Sequence, residues 1–241
     1  MTAKKVVQGL IVTTALCLST TSVRAQGYKL FIMGGDSSLT DQRSFSERYV
    51  NYTSAYAGGY KAIAGVEAPF YKIFGIEASY AIGPNNLKIN NTSNTYSLIK
   101  GYGVRDSRFS ADIVGHVPGV WRGIRAYGVV GVEYDVFSPT SSAQTLAKTQ
   151  GFACEVNNKA TCSATLKSQG EGGYNFGGGL DYKVASKVDL RLDARYHTFS
   201  SPTYGLPSAP STATSPYFPI SGSAHDIEYS IGLVYRFGKS K

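Results

Sequence analysis

Polar and apolar residues alternate along most of this 241-residue chain, and the period is two. The run Val188-Asp189-Leu190-Arg191-Leu192-Asp193-Ala194-Arg195-Tyr196-His197 alternates without a fault, and Ile227 to Phe237 is nearly as clean. Successive side chains of a strand point to opposite faces, so this pattern predicts strands with one apolar and one polar face. Helical spacing fits neither segment. Eight runs of this kind are predicted: Tyr28 to Gly35, Ala55 to Glu67, Phe74 to Ile82, Ser107 to Val117, Gly123 to Val136, Gly172 to Val184, Lys187 to Thr198 and Asp226 to Phe237. The first reads weakly, as does the region before Ser107.

The connections between these runs alternate in length. Ala68 to Ile73, Pro118 to Arg122 and Ala185-Ser186 are short. Asp36 to Ser54, Gly83 to Asp106, Phe137 to Glu171 and Phe199 to His225 are long and rich in Ser, Thr, Asn, Gly and Pro. Tight turns at one end and long loops at the other describe an up-and-down antiparallel meander, the pattern of outer-membrane barrels with turns in the periplasm and loops outside. The predicted fold class is all-β, an eight-stranded antiparallel up-and-down transmembrane β-barrel.

Composition agrees. Charged residues make up 17% of the chain, while it holds 18 Tyr and 27 Gly, which argues against a solvated helical protein. No run of 18 or more apolar residues offers a transmembrane helix. Sorting the strands by phase decides which face looks outward. One phase carries Lys61, Glu67, Glu77, Arg108, Asp112, Arg125, Glu133, Asp135, Asp181, Lys183, Asp189, Arg191, Asp193, Arg195, Glu228 and Arg236. The other carries Ala, Val, Leu, Ile and aromatic residues. Its aromatic residues gather at strand ends: Tyr56, Tyr80, Phe109, Tyr134, Tyr174, Tyr196 and Tyr229 near the long loops, and Phe74, Tyr182, Tyr235 and Phe237 near the short turns. Two such girdles around an aliphatic band suit the two lipid–water interfaces, so the apolar phase is read as lipid-facing.

The polar phase then fills a lumen only wide enough for its own side chains. Its charges, nine acidic and seven basic, must satisfy one another, because an isolated buried charge costs several kcal/mol. Arg125, Glu133, Asp181, Asp189, Arg191, Asp193, Arg195, Glu228 and Arg236 are taken as the lumen charge network, with the Asp189 to Arg195 ladder bonding across to Glu133, Asp181 and Glu228. Inward Gly59, Gly65, Gly131, Gly177, Gly179 and Gly232 leave room for long side chains.

The N-terminus reads as an export signal. Lys4-Lys5 is basic, Val6 to Leu18 is mostly apolar, and Val23-Arg24-Ala25 has the form of a cleavage site. Residues 1–25 are the predicted signal peptide and 26–241 the barrel, with Gln26 first after cleavage. Leu16 stands before Cys17 where a lipoprotein signal needs a small residue. Loss of Lys4, Lys5 and Arg24 lowers the basic count from 24 to 21 against 16 acidic residues, a net +5. For an exported chain this excess does not imply nucleic acid. Cys154 and Cys162 then remain, in a polar stretch, and an oxidising compartment makes them the expected disulfide, worth about 2–3 kcal/mol.

The meander, the segment Gly-Leu-Asp-Tyr182 and the final strand Tyr229-Ser-Ile-Gly-Leu-Val-Tyr-Arg-Phe237 resemble the small outer-membrane barrels of the OmpA/OmpX-like superfamily. The resemblance covers essentially the whole chain after the signal. It implies outer-membrane lipid and the barrel-assembly machinery as partners, with Phe237 as part of the assembly signal; Gly238-Lys239-Ser240-Lys241 follows it here, which departs from the group's pattern. The function expected is a monomeric structural or surface-interaction barrel that presents four long loops to an unidentified ligand. The alternatives are a small pore or transporter and a lipid-modifying enzyme. For the last, His197 is the candidate near the outer rim, but Phe199 rather than a serine shares its face, and His116 at a turn and His225 at a loop end read as plain rim polar groups. No catalytic, cofactor-binding or metal-binding residues are assigned. Gly172-Gly173 and Gly177-Gly178-Gly179 are no phosphate loop, since no helix pattern follows them.

Overall fold

The computed structural model describes residues 27–39, 42–47, 50–57, 59–91, 102–149, 165–207 and 222–237. The elements in chain order are β1 (Lys29–Leu39), β2 (Gln42–Glu47), β3 (Val50–Ala57), β4 (Gly59–Tyr71), β5 (Phe74–Asn91), β6 (Tyr102–His116), β7 (Ile124–Pro139), α1 (Ser141–Thr149), β8 (Gln169–Lys183), β9 (Val188–Ser200) and β10 (Ser223–Arg236). Eight of the strands form a ring in the order β4-β1-β10-β9-β8-β7-β6-β5, closed by the pairing of β5 with β4. Every pairing is antiparallel. The first and last strands meet from Lys29↔Arg236 to Leu39↔Asp226, so the ring has no open edge.

The eight ring strands coincide with the eight predicted runs, but three of the long connections contain more structure than expected. β2 and β3 form a hairpin that starts inside Asp36 to Ser54 and ends at Ala57, so the predicted run from Ala55 takes in the last residues of β3 before β4 begins at Gly59. β3 continues the wall above β4 by pairing with the far end of β5, from Ala57↔Asn86 to Tyr52↔Asn91. β5 itself runs on to Asn91 through Gly83-Pro84-Asn85, a stretch whose composition reads as a turn. Backbone pairing with β6, as far as Leu87↔Tyr102, holds it extended, and this needs no side-chain period. Pro84 falls in the break between the β4 and β3 pairings, where a missing N–H does least harm. The third departure is α1, within Phe137 to Glu171. Thr140 caps it: its hydroxyl accepts from Ala143 N at 3.3 Å and its carbonyl from Gln144 N at 3.0 Å.

Among the described residues no helix is long and apolar enough to cross a membrane, so the crossing is made by strands. β5 has 18 residues and β7 has 16, more than the ~9–11 a tilted strand needs, so their ends stand outside the hydrocarbon. The alternation has the predicted sense. Leu192 is 46% exposed on the outer wall, while Asp193 and Arg195 are 5% exposed within. Leu30, Ile32, Ile76, Ile113, Val130, Val132, Ile231 and Leu233 complete an aliphatic belt.

The inward face is less uniformly polar than the sequence suggests. Phe31, Met33, Ile63, Ala81 and Val234 form one buried cluster and Val114, Tyr127 and Val129 another. This accounts for the weak reading of β1, where Leu30 and Ile32 face lipid but Phe31 and Met33 face the lumen. Close packing makes two glycines necessary. A Cβ at Gly65 would lie 2.2 Å from Phe31 Cζ, and one at Gly131 would lie 2.0 Å from Asp112 Oδ1.

Candidate functional site

The lumen holds the chain's densest chemistry, arranged in storeys. At the short-turn end Lys29 donates to Glu67 at 2.9–3.0 Å, His116 Nε2 lies 2.7 Å from the same carboxylate, and Arg236 donates to Asp189 at 2.9 Å. In the middle, Arg191 uses its whole guanidinium. Nε and Nη2 form a fork on Asp181 at 2.8 and 3.2 Å, Nη1 reaches Glu77 at 3.0 Å and Nη2 reaches Glu67 at 3.1 Å. The cation also lies over the rings of Tyr127 (4.6 Å) and Phe31 (5.2 Å). Arg195, two steps along the same face of β9 beyond Arg191, donates to Asp193 at 2.8 Å, Asp112 at 3.0 Å and Glu77 at 2.6 Å. Glu77 therefore ties the two arginines together, one oxygen to each. Asn175 donates to Asp112 at 2.9 Å, and the Tyr127 hydroxyl donates to Asp193.

The third storey lies toward the long loops. Arg108 donates to Asp135 at 2.7 Å, Glu228 at 3.3 Å and Asp226 at 3.4 Å, and Lys61 bonds Asp106. His197 Nδ1 lies 2.6 Å from Glu133. Among the described residues five buried carboxylates here (Asp106, Glu133, Asp135, Asp226 and Glu228) face two cations, Arg108 and Lys61. Above them the mouth is covered. Phe137 and Phe199 pack at 5.3 Å beneath a cap in which Gln144 of α1 accepts from Leu166 N at 3.1 Å and Lys167 N donates to Tyr204 O at 2.9 Å. Ala143, Leu166 and Tyr204 are buried in this cap.

The placement differs from the expected one in several respects. Glu133 and Glu228 do not join the Asp189 to Arg195 ladder; their partners are His197 and Arg108, and Arg195 turns instead to Glu77 and Asp112. The cause is strand stagger, which sets which inward residues share a level. Arg125 is half-buried opposite Asp181 in register and makes no ion pair among the described residues. Lys183 follows the inward phase but stands exposed at the rim, because β8 ends there. Lys29, Asp106 and Asp226 complete the network and were not expected in it. Lys29 and Asp226 lie at the start of their predicted runs and Asp106 one residue before Ser107, each in the inward phase. His197 faces the lumen, fully enclosed, and so is turned away from lipid substrate. Among the described residues no group of three or more His, Cys, Asp or Glu side chains is arranged to hold a metal ion. Phe237 is exposed on the outer wall with its ring edge-on to Tyr235 at 4.7 Å. Residues 1–25, Cys154 and Cys162 lie outside the described residues, as does the side chain of Tyr56.

An apolar outer wall, a closed antiparallel ring and a paired polar lumen are the marks of a transmembrane barrel. The model of the outer membrane protein beta-barrel domain matches residues 11–237. The chain belongs to this family. As an outer membrane protein beta-barrel, it is a protein of the Gram-negative outer membrane, in contact with membrane lipid. Among solved structures it is similar to the outer membrane protein OprG from Pseudomonas aeruginosa, with 15% identity over 88% of this chain and 97% of that one and a TM-score of 0.56. That likeness shows the fold. It is also similar to Ail, the attachment invasion locus protein of Yersinia pestis, in complex with the heparin analogue sucrose octasulfate (14% identity, 88% and 99% covered, TM-score 0.42). The Neisserial surface protein A, NspA, matches at 11% identity, 87% and 97% covered, TM-score 0.46. No curated protein sequence matches this outer membrane beta-barrel.

Proposed function

We propose that this outer-membrane barrel is a non-conducting scaffold that presents its long loops for surface interaction. The observation that carries the reading is the burial of Arg108, Arg191 and Arg195 across the lumen, each held by three carboxylates from several strands. An ion would have to displace paired charges that are costly to part, since removing one partner of a buried pair costs about 3–5 kcal/mol. The cap of Phe137, Phe199 and Leu166 adds an apolar barrier at the loop end. In the same reading the chain is exported with loss of residues 1–25, is a monomer, carries a Cys154–Cys162 disulfide in its third loop, and offers Phe237 to the barrel-assembly machinery.

Planar-bilayer recording of the purified, folded protein tests this. The expected result is a quiet membrane at all applied voltages. Reproducible single-channel steps whose conductance changes when Arg195 or Glu77 is substituted would overturn it in favour of a small pore.

A further inference from the structure

The short-turn rim carries a device that neither the lumen network nor the loop ends use. Trp121 and Ile124 exchange backbone hydrogen bonds at 3.1 and 2.8 Å, closing the β6–β7 hairpin around Arg122 and Gly123 at φ 48° and 85°. Such a turn needs two left-handed residues and favours Asn-Gly or Gly-Gly. Gly123 meets the demand; an arginine beside it does not serve the fold. In the β4–β5 turn Lys72 also has positive φ, at 28°. Both positions are thus basic where the backbone prefers glycine or asparagine, and both do the same thing. The Arg122 guanidinium lies 5.2 Å from the Trp121 ring centre, and Lys72 Nζ lies 5.5 Å from that of Tyr71.

The two turns are neighbours, since His116 N donates to Ile73 O at 2.8 Å. Trp121 is 68% exposed, and Phe70, Tyr71 and Val120 stand out around it. Lys183 and Lys187 add two exposed cations on the β8–β9 turn. Among the described residues at this end every carboxylate (Glu67, Asp181 and Asp189) points into the lumen and is buried. The rim therefore shows solvent and lipid one sign of charge only, whereas an ordinary solvated surface mixes both. Aromatic rings settle at headgroup depth, and cations carried just over them lie at phosphate level. A headgroup bearing its own ammonium would meet repulsion there. We propose that this rim binds the headgroups of anionic phospholipid, of the phosphatidylglycerol class, in the leaflet it faces.

Trp121 is the chain's one tryptophan and reports from within the proposed site. The full barrel is folded into mixed phosphatidylcholine and phosphatidylglycerol bilayers, and Trp121 fluorescence is quenched by brominated forms of each lipid in turn. The expected relative binding constant favours phosphatidylglycerol about fivefold or more, the scale of one surface cation. It falls to about one in ~0.5 M NaCl, where the screening length is a few ångströms. The variant K72N/R122N/K183Q/K187Q keeps turn-compatible residues and is expected to lose the preference while still giving a folded band on an unboiled gel. Equal quenching by both lipids in the unsubstituted protein overturns the proposal, as does absence of quenching by either. A preference that survives in the folded variant does so too. If the variant does not fold, the salt dependence of the unsubstituted protein decides.

Discussion

Arg191 shows how a single residue organises the lumen. Its five donors find three carboxylates from β4, β5 and β8, and its faces find two aromatic rings. A lysine could not make the fork on Asp181, so the position calls for the planar guanidinium. Arg191→Met keeps much of the volume but leaves Glu67, Glu77 and Asp181 short of a shared cation. The expected loss is about 3–5 kcal/mol of unfolding free energy, read by urea titration of the protein folded in liposomes. Wild-type-like stability would mean that Lys29 and Arg195 can carry those acids alone. Asp226 and Asp106 belong to the same scale of argument. Each sits two residues from a recognised inward charge, Glu228 and Arg108, so the phase that identified those already contained them. Both stand at strand ends, Asp226 as the first residue of its predicted run and Asp106 one residue before Ser107, where alternation alone does not fix how far the lumen extends.

At the scale of the element, β9 is the clearest case of a strand written by its sequence. Five inward polar residues, from Asp189 to His197, alternate with outward Val188, Leu190, Leu192, Ala194 and Tyr196, and the burial follows that order. Leu192 lies in the middle of the lipid-facing band. Leu192→Arg should therefore cost about 2–4 kcal/mol in the same urea titration, whereas a charge change at Lys187 on the rim should be close to neutral. If Leu192→Arg were also neutral, the outer wall would not face hydrocarbon. β1 and the outer half of β5 were harder to read for opposite reasons. In β1 both faces are apolar, so the period fades. In β5 beyond Ile82 the residues are turn-forming, and the strand exists because β6 and β3 pair with it on either side.

For the whole molecule, closure is made by eight strands, and the β2–β3 hairpin stands outside that ring as an extension of its wall. Deleting residues 42–57 would join Leu39 to Gly59 through three residues, a length that hairpins commonly use. The shortened protein is expected to fold and to keep the mobility difference between boiled and unboiled samples. Loss of that difference would show that the extension is needed to close the barrel. Among the described residues, acids predominate inside the loop end and only cations are exposed at the turn end. An unpaired lumen would conduct or collapse, and a rim of mixed sign would have no preference among headgroups.

The number of ring strands, the sense of the two faces and the alternation of short turns with long connections are properties of the chain by itself. They follow from the two-residue repeat of an extended backbone and from the separation of apolar from charged side chains, both of which are local. Which charge meets which is a different kind of information. Glu77 and Arg191 are 114 residues apart and Glu67 and Arg191 are 124 apart; their meeting depends on the accumulated stagger of every strand between them. That stagger is fixed when the ring closes, because closure allows only certain offsets between first and last strand. The sequence thus determined that the charges would lie inside, and the closed barrel alone decided their partners.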